Sequence, residues 1–148
     1  MIAFHREIKL GKTKKKYDFK DITSRIETVV KASRIKNGLI NIQSLHTSAG
    51  VFMNENEPLL LKDLQANWSQ LFSPQAAYNH DNFKIRTVNV CAGECQNGHS
   101  HINAVLLGSD LAVNIVAGKL KLGRWQRIFF VELDRARARA LSVMAIGE

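Results

Sequence analysis

Two cysteines and two prolines in 148 residues set the first limits on this chain. Cys91 and Cys95 are too few for a disulfide framework. With three residues between them they also miss the Cys-x-x-Cys spacing of redox and structural-zinc elements, so they read as free thiols in a reducing compartment. No apolar run approaches the roughly 18 residues a membrane helix needs. Aromatic residues make up only 7%, and none interleaves with the basic runs as a single-strand nucleic-acid platform requires. A Gly-x-Gly-x-x-Gly or Walker-type loop is missing, which takes weight from nucleotide-binding folds. There is no His-x-x-x-His element, and no Gly-x-Ser-x-Gly elbow surrounds Ser48, which sets aside a hydrolase triad. Without a linker, a repeat or a biased segment, residues 1–148 read as a single domain.

What is present is positive charge. Twenty-one Lys and Arg against 13 Asp and Glu leave the chain at +8, a balance that invites nucleic acid as a partner. Its distribution argues against that partner. One run, Lys12, Lys14, Lys15 and Lys16, follows Gly11 and reads as a hairpin tip in water. The other, Arg135, Arg137 and Arg139, has the spacing that puts three guanidiniums on one solvated face of a strand.

The order of elements follows from periodicity. Residues 2–10 alternate as a half-buried strand from the N-terminus, which leaves no room for a signal peptide and predicts a cytoplasmic protein. A turn through Gly11–Lys16 precedes a short strand, Tyr17–Phe19. Ser24-Arg25-Ile26-Glu27 has the form of a capping box, opening a helix with Ile26, Val29, Val30 and Ser33 on one side and ending at Asn37-Gly38. Leu39–His46 reads as an inner strand, and Gly50–Met53 as the start of the next. Pro58 suits the first turn of a helix carried by Leu60, Leu64, Trp68 and Leu71. A strand over Phe83–Val90, a loop over Cys91–Ser100 and a short helix over Ile102–Leu107 follow. Strands over Leu111–Val116, Leu120–Glu132 (with a break near Gly123) and Arg139–Ile146 close the chain, the first two joined by a turn at Ala117-Gly118-Lys119. The predicted class is α+β, with a mainly antiparallel, sandwich-like core and two or three helices.

Histidines and carboxylates are the candidate chemistry. His46 ends an inner strand and runs into Thr47, Ser48, Ala49 and Gly50; His80 precedes Asp81; His99 and His101 flank Ser100. Neutral imidazole is the commonest protein ligand of zinc and similar ions, yet these ligands would come from separate parts of the chain. Glu57, beside a helix start, is explained by the helix dipole. Glu55, within Asn54-Glu55-Asn56, is not. Glu132 and Asp134 read as partners for Arg135 or Arg137 in a salt-bridged strand end.

Taken together, His46-Thr47-Ser48-Ala49-Gly50, Asn54-Glu55-Asn56, Asp63, His80-Asp81, Asn97-Gly98-His99-Ser100-His101, Gly123-Arg124-Trp125-Gln126 and Ile146-Gly147-Glu148 resemble, in order and over nearly the whole chain, the YjbQ-like family. That family is also called secondary thiamine-phosphate synthase, after an activity of some members. The resemblance implies a compact α+β fold assembled as a homotrimer, with a polar pocket of clustered histidines. It implies that His46, His80 and His101 hold a divalent metal, zinc being the natural candidate. Asn54, Glu55 and Asp63 would stand beside them as catalytic groups, while Trp125 and Gln126 would shape the pocket. Beyond the resemblance, Ser48 and Arg135 are candidates to contact a small phosphorylated substrate, with Arg124 or Lys119 as alternatives for the positive charge. The chain departs from the family's simplest form at His99 and over Thr87–Gln96.

The expected reaction joins a pyrimidine diphosphate to a thiazole phosphate and releases pyrophosphate. Two alternatives stand beside it. One is metal-assisted hydrolysis of a small phosphorylated metabolite. The other is a non-catalytic trimer that binds a metabolite or RNA.

Overall fold

The structure, a computed structural model, describes residues 1–148. In chain order the elements are β1 (Ile2–Lys12), β2 (Phe19–Asp21), α1 (Thr23–Ser33), β3 (Gly38–Ser44), β4 (Ala49–Glu55) and α2 (Pro58–Leu71). A single 3-10 turn (Asn79–Asp81) follows, then α3 (Gly98–Leu107), β5 (Asp110–Val116), β6 (Lys119–Leu120), β7 (Gln126–Glu132) and β8 (Ala138–Gly147). The strands form two sheets, a five-stranded one in the order β1-β8-β3-β5-β6 and a three-stranded one in the order β2-β7-β4. Every pairing is antiparallel, so the α+β class with a sandwich-like core holds.

Period-two patterning decides which faces meet. Ile40 and Ile42 of β3, Val113 and Ile115 of β5, and Leu141, Val143 and Ala145 of β8 turn inward from the large sheet. They meet Val51 of β4, Ile128 and Phe130 of β7, and the Ile26–Val29–Val30 stripe of α1. The small sheet is buried on both faces, which is why Ile128-Phe129-Phe130-Val131 is a continuous apolar run rather than an alternating one. Its second face packs Val131 with Tyr17, Trp68 of α2 and Ala104 of α3. Trp68 is therefore a core residue, meeting Phe52 edge-on with ring centroids 5.7 Å apart.

The outer face of the large sheet is covered by nothing. Leu39, Met144 and Ile146 stand exposed on it and line a shallow concavity of about 720 Å³. Large exposed apolar areas on a folded chain mark contact surfaces.

Several sequence expectations are corrected. Residues 83–90 form no strand: Phe83, Ile85, Val88 and Val90 are all exposed, and the segment runs as turns. Apolar residues are there, but Phe83 and Ile85 are out of phase with Val88 and Val90, and no neighbouring strand edge accepts the segment's hydrogen bonds. Ser24 caps nothing. α1 begins two residues earlier, after Ile22, and the carboxylate of Asp21 accepts from the Thr23 N–H at 2.9 Å. The helix ends at Arg34 in a left-handed conformation (φ 62°), ahead of Asn37-Gly38. α3 starts at Gly98, so His99 and His101 lie in a helical first turn and point apart.

The stretch 120–132 is broken as expected, and its two parts join different sheets. The Ala117-Gly118 turn is a hairpin with φ 51° and 75°, the doubly positive geometry that suits the twist of its strands. The arginine stripe is not a face. Arg135 and Arg137 lie in the β7–β8 turn, and Arg139 is buried.

Candidate functional site

β3 ends at Ser44, and the chain crosses to the small sheet through Leu45–Ser48. This crossing is held from below by a buried ion pair. Arg139 Nε donates to Glu132 Oε2 at 2.7 Å, and its Nη2 also reaches Ser48 Oγ at 3.1 Å. Thr13 Oγ1 donates to the same carboxylate at 2.8 Å, as does the Asp134 N–H at 3.0 Å. With Arg139 Nη2 also donating to Oε1, Glu132 has four donors and no contact with water, which is what a fully buried carboxylate requires.

One residue on, the Ala140 N–H donates to His46 Nε2 at 2.8 Å. A backbone N–H can only donate, so Nε2 of His46 carries the lone pair and Nδ1 carries the proton. Burial, then repulsion from Arg139, holds this imidazole below its usual pKa, so it stays neutral.

The opposite wall is α3. Its start is clamped by Asp81, whose Oδ1 accepts from both the Asn97 and Gly98 N–H groups at 2.9 Å. A Cβ on Gly98 would lie 2.6 Å from Tyr78 Cβ, so glycine is what lets the 3-10 turn and α3 approach this closely. The approach sets the His80 and His101 rings edge to face, centroids 4.6 Å apart. His101 Nδ1 stands 3.0 Å from the Thr47 carbonyl, which can only accept. The proton is therefore on Nδ1 and the lone pair on Nε2, the same tautomer as His46 but with the other nitrogen engaged, so His46 keeps its N–H free and His101 its lone pair. Burial, with repulsion from His80 next, lowers the His101 pKa as well. His80 Nε2 is buried without a partner.

His46 and His101 line one cavity of about 830 Å³, together with Ser44, Thr47 and Asp110 and rimmed by Leu45 and Val105. It lies at the end of the large sheet's outer face, where Gln43 and Asp110 pair across β3 and β5. One neutral imidazole offers a donor and the other an acceptor, which suits positioning and proton transfer.

His99 faces away from this cavity. It is only 7% exposed, and its Nε2 lies 3.0 Å from Ser100 Oγ, which spends its own proton on the Leu133 carbonyl at 2.6 Å. It is Ser100, through this bond, that pins α3 to the residue after β7.

The remaining sequence candidates are not brought here. Asn54 and Glu55 sit at the far end of β4, six residues beyond Ala49 and so roughly 20 Å away. They pair across with Arg127 and Gln126 of β7. Gln126 folds back to accept from the Gly123 N–H at 2.7 Å. Trp125 is 59% exposed beneath the Arg124 guanidinium. Asp63 is on the exposed side of α2, and Arg135 is exposed in its turn. Ser48 lies under the cavity, bonded to Arg139.

Within one chain, then, the candidates form two groups at opposite ends of the β4–β7 pair. No group of three or more His, Cys, Asp or Glu side chains is placed to hold a metal ion. Of the three imidazoles, His80 and His101 meet, while His46 has committed Nε2 to Ala140. Sequence reasoning missed Arg139, Asp81 and the Thr47 carbonyl as parts of the site. Only the His80-Asp81 and Asn97-Gly98 pairs hinted at the clamp.

The family model described as UPF0047 protein YjbQ-like matches residues 6–148. A UPF0047 protein of Methanothermobacter thermautotrophicus is 34% identical over 148 residues, covering 100% of this chain and 95% of that one. Another from Archaeoglobus fulgidus is 33% identical over 135 residues, covering 91% and 96%. Among solved structures, a YbjQ-like protein of unknown function from Sulfolobus solfataricus aligns with TM-score 0.87 at 31% identity, over 99% of this chain and 98% of that one. A hypothetical protein from Aeropyrum pernix aligns with TM-score 0.83 at 30% identity, over 100% of each.

Proposed function

The chain belongs to the YjbQ-like family of UPF0047 proteins, and on that footing we propose that it is a small enzyme of thiamine-phosphate synthase type working from the His46–His101 cavity. The observation that carries the reading is that two neutral imidazoles line one cavity with opposite functions free, the N–H of His46 because Ala140 N–H takes its Nε2, and the lone pair of His101 because the Thr47 carbonyl takes its Nδ1–H. In the reaction the thiazole nitrogen attacks the methylene carbon of the pyrimidine diphosphate. The C–N bond forms as the C–O bond breaks, and pyrophosphate leaves with the electron pair. His46 Nδ1–H donates to a diphosphate oxygen, and His101 Nε2 accepts from a donor on the bound substrate. Preorganised donors of this kind act where charge develops on the leaving group.

A divalent ion fits part of the donor set. His80 Nε2, buried and without a partner, stands beside His101, so these two imidazoles would hold the ion, the His101 Nε2 lone pair then going to it in place of a substrate donor, while His46 stays outside its shell. When bound, it would neutralise charge on the diphosphate. The same pair favours a second reading, metal-assisted hydrolysis of a small phosphorylated metabolite, in which the ion would neutralise charge on the phosphate.

A homotrimer in the cytoplasm completes the proposal. The uncharged stretch of Leu39, Asn41, Met144 and Ile146 is a place where copies of a +8 chain can meet without repulsion. Association of copies is also the route by which Asn54 and Glu55 of one subunit could approach the histidines of another.

The test incubates purified protein with the pyrimidine diphosphate and the thiazole phosphate, with and without zinc or manganese. Thiamine phosphate and pyrophosphate should appear in equal amounts. Product no greater than from His46→Ala protein ends this reading. Phosphate release from single phosphorylated metabolites instead would establish the hydrolase.

A further inference from the structure

The fold joins two basic runs that the sequence keeps more than a hundred residues apart. Thr13 is the fastener. Its N–H donates to the Arg137 carbonyl at 2.9 Å, and its hydroxyl accepts from the Arg137 N–H at 2.9 Å. Further along, the Tyr17 N–H donates to the Glu132 carbonyl at 2.7 Å. Residues 13–18 therefore run alongside residues 132–137, and the β1–β2 turn lies on the β7–β8 turn.

Seven cations converge there: Lys12, Lys14, Lys15, Lys16, Lys20, Arg135 and Arg137. The two carboxylates among them, Asp18 and Asp134, are already engaged, with Lys20 at 3.3 Å and Arg137 at 2.8 Å. Lys12, Lys14, Lys15 and Arg135 are exposed and have no ion-pair partner. At the seam, Lys16 Nζ and Arg137 Nε are buried donors without an acceptor. An exposed fringe of cations around unsatisfied donors asks for a ligand rich in anionic oxygens.

We propose that the paired β1–β2 and β7–β8 turns form a binding surface for the phosphodiester backbone of a nucleic-acid duplex. A duplex fits better than a single strand because no exposed aromatic ring stands among the cations; Tyr17, the nearest, is buried. Lysines acting as point charges track phosphates without reading bases, so binding is sequence-independent. The surface does not depend on what reaction the histidine cavity performs.

The experiment titrates the full chain into labelled 20-base-pair DNA and RNA duplexes at 50 to 200 mM salt, following anisotropy. Four exposed phosphate-facing cations predict a log–log salt slope of about −3.5, an affinity loss of roughly 100-fold across that range. Lys14→Glu/Lys15→Glu should weaken binding at least tenfold. Lys119→Glu/Lys121→Glu carries the same charge change at the opposite edge of the large sheet and should leave binding nearly unchanged. The tighter of the two duplexes identifies the source of the backbone. Three results would overturn the proposal: no duplex bound at 50 mM salt, equal loss from both charge-reversed pairs, or capture of inorganic pyrophosphate alone at these turns.

Discussion

Glu132 and Arg139 face each other across the β7–β8 connection as an ion pair sealed from solvent, with side chains 0% and 4% exposed. The pair stands directly beneath the loop that carries His46, and the residue after Arg139 supplies the bond that fixes the His46 ring. Removing one partner strands the other as a buried charge. Glu132→Ala should destabilise the fold by about 3–5 kcal/mol, whereas the double exchange Glu132→Leu/Arg139→Met should cost much less. Urea unfolding of both variants decides it, and equal losses would show that the charges are not what matters.

His46 should be separable into its two nitrogens. His46→Ala should lower turnover of the preferred substrate by about 100-fold or more, the effect of losing one preorganised donor. His46→Asn should recover part of that loss, because its amide can accept from Ala140 N–H while still donating into the cavity. Steady-state rates of the two variants are the measurement, and an asparagine variant as inactive as alanine would contradict the assigned protonation.

Acid should unfold this protein earlier than its carboxylates alone would require. His46, His99 and His101 are all held below the usual value of 6.5, burial being the first cause in each. The unfolded chain therefore binds protons at these positions before the folded one does. The resulting stability is complete above pH 6.5 and is lost as pH falls through the lowered folded values. Thermal midpoints measured between pH 7.5 and 5 should decline from about 6.5 downward, and a flat profile to pH 5.5 would be inconsistent with three neutral imidazoles.

Glycine to alanine within a helix ordinarily stabilises by up to about 1 kcal/mol. Gly98→Ala should do the opposite, by about 1–3 kcal/mol, since the new methyl meets Tyr78 Cβ and the two backbones must part. Moving α3 away from the 3-10 turn also parts His80 from His101. The variant should then lose zinc affinity in calorimetric titration along with stability.

The exposed outer sheet should report on assembly. Met144→Lys, which adds charge to the uncharged stretch around Leu39 and Ile146 without touching the core, should lower the molecular mass seen in light scattering. An unchanged mass would move the subunit contact elsewhere.

Much of this molecule was readable in one dimension. The Ile26–Val29–Val30 stripe, the Pro58 start of α2 and the alternation of β3 and β8 each state their own structure. Residues 83–90 misled because apolar and β-branched content reports only what a segment could bury, and nothing is there to bury it. The candidate site was harder. His46, His80 and His101 were visible as residue types, but their protonation depends on partners at Ala140 and Thr47, one of them 94 positions away. Asn54 and Glu55 look adjacent to His46 in sequence, yet an extended strand carries them away at over 3 Å per residue. Arg139 looked like a member of a surface stripe because the turn before β8 interrupts the period that the stripe assumed.

The position of β8 has a kinetic consequence. It is the last strand of the chain, and it lies between β1, the first, and β3. Until it emerges from the ribosome, at roughly 5–20 residues per second, both of those strands present open edges with no partner. The large sheet closes only when β8 is inserted into its middle, so until then β1 waits apart from the β3-β5-β6 ribbon. Contacts of such long sequence separation fold slowly. The waiting interval is when this protein is most exposed to wrong pairing, and the lysines and arginines along β1 would keep its open edge soluble meanwhile.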